Sequence, residues 1–210
     1  MKNFPVLNQL KNQEELMQYA TAYEKCSGLP VPLSYLSENK TFALLLNGKM
    51  IGGFILGMGP HFRTIDFFAK AENQSGLIEK LVDPNMFTEI TCFWLAPKHR
   101  SQSITNLLTW IKLALAIKKH SNPYLIYGTN SKGLARLYNT TKESFLVHDD
   151  FCKNKNTYIF VAQTQHCIKG ILEIMAFKVK RMISKIRRKS FRANFNLQTH
   201  SIIPFPILAK

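Results

Sequence analysis

Apolar positions first recur at helical spacing between residues 8 and 25, where Leu10, Leu16, Met17, Ala20 and Tyr23 share one face. They predict an amphipathic opening helix, ended by the prolines of "GLPVPL". The pattern then changes to two β-rich runs from Thr41 to Leu56, joined by Asn47-Gly48, the strongest short-range signal for a hairpin. A loop is predicted from Gly57 to Arg63, and "DFFAKAENQSGLIEKLV" reads as a further helix. Met86 to Ala96 is a buried-type strand, rich in β-branched and aromatic residues, that Pro97 stops.

Ser101 to His120 predicts a long helix with Ile104, Leu107, Leu108, Ile111 and Leu115 on its apolar face. Lys118, Lys119 and His120 lie in its last turn, where cations suit the dipole. "YLIYGTN" is another strand, "SKGLARLYNTT" a short helix, and "SFLVHDDF" with "NTYIFVA" a closing pair of strands. This order implies an α/β fold: a mixed, mostly antiparallel central sheet flanked by helices. The domain is expected to span residues 1–165, followed by a basic extension over 166–210.

That extension changes the picture when charge is counted. Residues 167 to 210 hold ten Lys and Arg against the single acid Glu173, so they carry +9 of a net +15. Ile168, Ile171, Leu172, Met175, Val179, Met182, Ile183 and Ile186 follow helical spacing, which predicts a basic amphipathic helix. Through residues 167–192 such a helix suits an anionic membrane surface or an acidic carrier protein; alternatively its stripe packs on the domain and its charges are solvated. Nucleic acid ranks last as a partner, because few aromatics interleave with the charges. The cysteines Cys26, Cys92, Cys152 and Cys167 show no zinc spacing, and no metal site is expected. The expected compartment is the cytoplasm, with a peripheral position at the inner face of a membrane as the variant the basic helix opens.

Candidate chemistry concentrates around Pro97. A buried strand that ends in a basic, hydroxyl-rich turn at the start of a long helix can hold an anion: unpaired amides and the positive end of the macrodipole converge there. Lys98, His99 and Arg100 add mobile positive charge, and a pyrophosphate would fit. The alternative is that Ser101 or Ser103 merely caps the helix. His148, Asp149 and Asp150 form a second polar cluster, read first as a solvated turn, and Cys92 reads as core packing.

From about residue 8 to 160 the order of elements resembles the GNAT (Gcn5-related N-acetyltransferase) superfamily. In that family the fourth strand leads into an acyl-CoA loop of Gln or Arg followed by two spaced glycines. The aligned residues here are Arg100, Ser101, Gln102, Ser103, Ile104 and Thr105, so the arginine matches and Ser103 and Thr105 replace the glycines. Downstream, Asn130, Ala135, Leu137 and Tyr138 match the family's strand-end Asn and its Ala-x-x-Leu-Tyr helix, with one extra residue between Asn130 and Tyr138 and no glycine before Phe145.

The resemblance implies an N-acyltransferase that moves an acyl group, most simply acetyl, from acetyl-CoA or another acyl-CoA to an amine on a small molecule or protein. It implies that Arg100 to Thr105 and Asn130 bind the cofactor, that main-chain groups of Phe93 and Leu95 hold its pantetheine arm, and that Tyr138 is the acid for the departing thiolate. Glu89, on the same strand as Phe93, is the candidate base. An acid in an apolar run either faces solvent or lies in a cleft with a raised pKa. The runner-up reading is a catalytically silent GNAT-like adaptor that binds a membrane or acidic partner through its basic helix.

Overall fold

The computed structural model describes residues 4–59, 61–70, 73, 75, 76, 79, 81, 83–100, 104–139, 144–152, 155–166, 169–177, 179, 180, 183 and 184. The chain opens not with a helix but with an edge strand, β1 (Val6–Gln9), whose residues Val6 to Gln9 pair antiparallel with Leu45 to Phe42. The predicted opening helix therefore starts later, as α1 (Gln13–Ser27). Asn12 caps it by accepting from the Glu15 amide at 2.8 Å, and Gly28 ends it in the left-handed conformation. A short helix α2 (Leu33–Glu38) follows the prolines that were expected only to end the first helix.

The hairpin forms as the Asn-Gly signal predicts. β2 (Lys40–Leu46) and β3 (Lys49–Met58) turn through Asn47 and Gly48 with φ of 52° and 72°, the two positive values that a tight hairpin turn needs. Helix α3 (Arg63–Phe68) occupies the start of the predicted second helical segment, and residues 73, 75, 76 and 79 are helical as well. A 3-10 turn at Pro84–Met86 leads into β4 (Phe87–Leu95). Then come a single turn α4 (Pro97–Arg100), the long helix α5 (Ile104–His120), β5 (Tyr124–Thr129), α6 (Lys132–Asn139), β6 (Phe145–Cys152) and β7 (Lys155–Gln163).

Among the described residues seven strands make one sheet in the order β1-β2-β3-β4-β5-β7-β6, antiparallel throughout except for the parallel pair β4–β5. Helices cover both faces. On one, Tyr19 of α1 and Leu36 of α2 pack with Ala43 and Ile55, and Ile65 of α3 packs with Phe87 and Ile126. On the other, Trp110, Leu113 and Ile117 of α5 pack on Phe54, Leu56 and Leu125. Ile171 and Ile174, from the helical residues 169–177, join this second core.

The chain divides into a unit running to Met175 and a second from Ala176 onward. In the second unit residues 176, 177, 179, 180, 183 and 184 are helical. Phe177 and Ile183 are exposed there. No described helix is long and apolar enough to cross a membrane.

Candidate active site

The site is built on an irregularity in β4. Its register with β3 jumps from Thr91–Ile55 to Trp94–Gly53, so Cys92 and Phe93 together stand opposite Phe54. Such a bulge bends the strand and leaves main-chain groups outside the ladder. Cys92 takes the strain, with a φ of 49°, and the Tyr19 hydroxyl donates to its carbonyl at 2.9 Å. Gly53 makes the close approach possible, because a Cβ there would collide with the Phe42 carbonyl and the Tyr19 ring.

On the other side, β4 and β5 pair only from Phe87–Tyr124 to Ile90–Tyr127. Beyond that both strands continue, to Leu95 and Thr129, and they diverge. Below the divergence lies an apolar cavity of about 50 Å³ walled by Ile90 and Phe93 of β4, Trp110 and Ile117 of α5, and Ile171 and Ile174. Tyr138 of α6 lines it too, with its ring edge-on to Tyr127 at 5.1 Å and to Phe160 at 5.5 Å. Tyr138 thus both packs its helix on the sheet and borders the cavity.

The turn after β4 brings two of the sequence-predicted groups onto each other. Arg100 donates from Nε to the Leu95 carbonyl at 2.6 Å and from Nη2 to Cys26 Sγ at 2.8 Å. The Arg100 carbonyl accepts from the Asn106 side chain at 3.3 Å. Ile104 opens α5 half exposed, and the Thr105 carbonyl accepts from the Thr109 hydroxyl at 2.8 Å. Ser101, Gln102 and Ser103 lie outside the described residues. Asn130 occupies an exposed bend after β5, where Ser131 begins α6.

Glu89 belongs to the opposite face of the sheet from Tyr138. It is fully buried: its Oε2 accepts from the Tyr35 hydroxyl at 2.6 Å and the Arg63 amide at 3.0 Å, and its Oε1 accepts from the Thr64 amide. Burial pushes its carboxyl above the usual range, against the pull of these donors on the charged form. The Tyr35 phenol, buried beside that carboxylate, is raised as well. The Cys92 thiol is buried in the α1 cluster and pushed up by desolvation, as befits an inert core thiol. His148, Asp149 and Asp150 lie within β6 rather than in a turn, since they pair with Ile159, Tyr158 and Thr157. Asp150 there bonds the Phe151 amide and pairs with Lys70 at 3.2 Å, both of which lower its pKa.

No protein-family model matches the sequence, and no curated protein matches it closely enough to count as a relative. Solved structures do match. The structure is similar to FeeM, an N-acyl amino acid synthase from uncultured soil microbes, with 14% identity, a TM-score of 0.56, and 79% of this chain and 93% of that one covered. It is similar to the AHL synthase LasI, with 10% identity, a TM-score of 0.56, and 77% and 91% covered. It also matches the loading GNATL domain of CurA from Lyngbya majuscula, with 12% identity, a TM-score of 0.51, 78% of this chain and the whole of that one covered. The chain has the GNAT fold.

Within this fold β4 parts from β5 beyond Ile90–Tyr127, and Phe93 stands at that parting. Sequence reasoning missed Tyr35 and the amides of Arg63 and Thr64, because their partnership with Glu89 joins segments 54, 26 and 25 residues apart. It also missed Ile174 as a wall of the cavity. The signal existed: Ile174 stands three residues after Ile171, on the same helical face.

Proposed function

We propose that the protein is an N-acyltransferase that takes an acyl group from an acyl-CoA thioester, most simply acetyl-CoA, to an amine on a small molecule or protein. The observation that carries this reading is the divergence of β4 from β5 beyond Ile90–Tyr127, with Phe93 and Tyr138 facing one cavity beneath it. Support comes from the fold: FeeM is an N-acyl amino acid synthase, and a CoA-dependent acyl-homoserine lactone synthase, MesI, also matches at a TM-score of 0.52.

In this reading the acceptor nitrogen attacks the thioester carbonyl carbon. A C–N bond forms, the C–S bond breaks, and the amine gives up one proton to solvent. The departing thiolate takes a proton from the Tyr138 hydroxyl, which regains it from water. Main-chain groups of Phe93, freed by the bulge, hold the thioester arm. Arg100 turns from Leu95 to the phosphates, joined by Ser101 to Thr105 and Asn130 at the two helix starts.

Glu89 acts here as a positioning residue. Three donors already occupy its oxygens, and base duty would require displacing them. The surplus cations of residues 167–192 would favour an anionic membrane surface over a neutral one, consistent with a peripheral cytoplasmic enzyme.

One observation favours the silent adaptor as a second reading: Arg100 and the Leu95 carbonyl, both assigned to the donor, satisfy each other. Incubation of the full chain with acetyl-CoA and a panel of primary amines, following free thiol, separates the two. Amine-dependent thiol release that falls in Tyr138→Phe supports transfer. A flat trace with every amine, together with no heat on titration with acetyl-CoA, overturns it in favour of the adaptor.

A further inference from the structure

The cavity at the β4–β5 divergence is poorly suited to the polar part of a coenzyme. A pantetheine arm carries two amides, each of which loses its water when buried and needs a partner. Ile90, Phe93, Ile117, Ile171 and Ile174 offer none, and the polar groups of the lining are few: the Trp110 indole N–H and the hydroxyls of Tyr127, Tyr138 and Ser144. Where hydroxyls do approach, Tyr127 Oη and Ser144 Oγ lie 2.5 Å apart and bond each other. The main-chain groups that could serve an amide arm lie at the bulge and the strand end, at Phe93 and Leu95.

Hydrocarbon fits a lining made mostly of aliphatic and aromatic carbon. The open space of about 50 Å³ is roughly four times what a single water needs, too large for a packing defect and of the right order for a short run of methylenes. Phe93, where the thioester would stand, lines it, and so do Ile171 and Ile174 of the helical residues 169–175.

We propose that this cavity receives the acyl chain of the donor, so that the protein prefers a fatty acyl thioester to acetyl and Ile171 and Ile174 of the helical residues 169–175 set the chain length accepted. This rests on the acyltransferase reading for the identity of the carrier, but the chain pocket itself is tested separately. Each methylene buried there should tighten binding roughly fourfold until the chain meets the wall.

The test is calorimetric titration of the full chain with acetyl-, hexanoyl- and decanoyl-CoA, and with free decanoate, repeated on Ile174→Trp and Ile171→Ala. Affinity should climb from acetyl to hexanoyl or decanoyl. Ile174→Trp, which fills the cavity, should narrow the ratio of decanoyl to acetyl affinity at least tenfold, and Ile171→Ala, which enlarges it, should move the optimum to the longer chain. A melting curve for each variant establishes that it folds, and Ile171→Ala alone decides if Ile174→Trp does not.

Decanoate that binds and is expelled by Ile174→Trp, while no CoA ester binds, would uphold the chain pocket and sink the CoA-dependent reading. Equal affinity for all chain lengths, unmoved by Ile171→Ala, would overturn the pocket and leave acetyl transfer standing. No binding of decanoate or of any thioester overturns both.

Discussion

Arg100 reaches back from the turn after β4 to donate to the Leu95 carbonyl at 2.6 Å, and the same guanidinium meets Cys26 Sγ at 2.8 Å. The Cys26 thiol also points at that carbonyl, at 3.7 Å. The loop arginine is thus parked on the strand end it follows. Binding of a polyphosphate must exchange these contacts for new ones, and the affinity observed is the difference between the two sets.

Removing the cysteine should therefore tip the balance. Cys26→Ala takes away one of the two anchors of Arg100 and is expected to tighten acyl-CoA binding a few-fold. Arg100→Ala, which removes the proposed phosphate partner, is expected to weaken it about tenfold, the worth of one charge-assisted hydrogen bond. Titration calorimetry reads both. Opposite signs are the signature of the exchange, and the same sign in both variants would rule it out.

Tyr138→Phe keeps the ring that packs edge-on against Tyr127 and Phe160 and loses only the hydroxyl. The expected result is a kcat lowered about 100-fold with KM little altered, as for loss of a general acid. Steady-state thiol release across pH checks it.

Glu89 makes a prediction about pH and stability. Burial raises its carboxyl in the folded state above its unfolded value. A raised carboxylate contributes stability that is fully present below the unfolded pKa and lost as pH rises through the folded one. Glu89→Gln cannot titrate, and its NH₂ must also face some of the donors from Tyr35, Arg63 and Thr64, which costs about 1–3 kcal/mol. The gap in melting temperature between wild type and Glu89→Gln should be wider at about pH 5 than at about pH 8. A pH-independent gap would remove Glu89 from the account of acid stability.

Gly53→Ala is expected to destabilise the fold by about 1–3 kcal/mol, since its methyl group must displace the Phe42 carbonyl or the Tyr19 ring. Chemical denaturation measures it. Because Tyr19 also holds the Cys92 carbonyl at the bulge, acyl-CoA affinity should fall in the same variant.

The strands and long helices could be read from the chain because each is governed by local pattern. Asn47-Gly48 dictates its own turn, the helical spacing of apolar residues places α5, and the β-branched and aromatic run places β4. β1 was misread because Leu10 keeps helical spacing with Leu16 and Met17, while the pairing of Val6 with Leu45 is a long-range matter. The contacts of the candidate site residues were less legible than the strands and helices that carry them. Phe93 and Tyr138 do share a cavity, whereas the engagement of Glu89 with α2 and α3, and of Arg100 with α1, depends on which helix covers which end of β4. No spacing within one segment encodes that. Ser103, one of the two residues that stand in place of the expected glycines, lies outside the described residues together with Ser101 and Gln102.

The helix that bears Ile171 and Ile174 has a consequence for the order of events during synthesis. Phe54, Leu56, Trp110 and Ile117 leave the ribosome well before it, so one face of the sheet waits wet, with its inner surface incomplete, until residues 169–175 emerge. The chamber that would hold a ligand and the last piece of the core are finished in the same step. A chain stopped after residue 165 would leave the ribosome with an unsealed seam where its cavity should be.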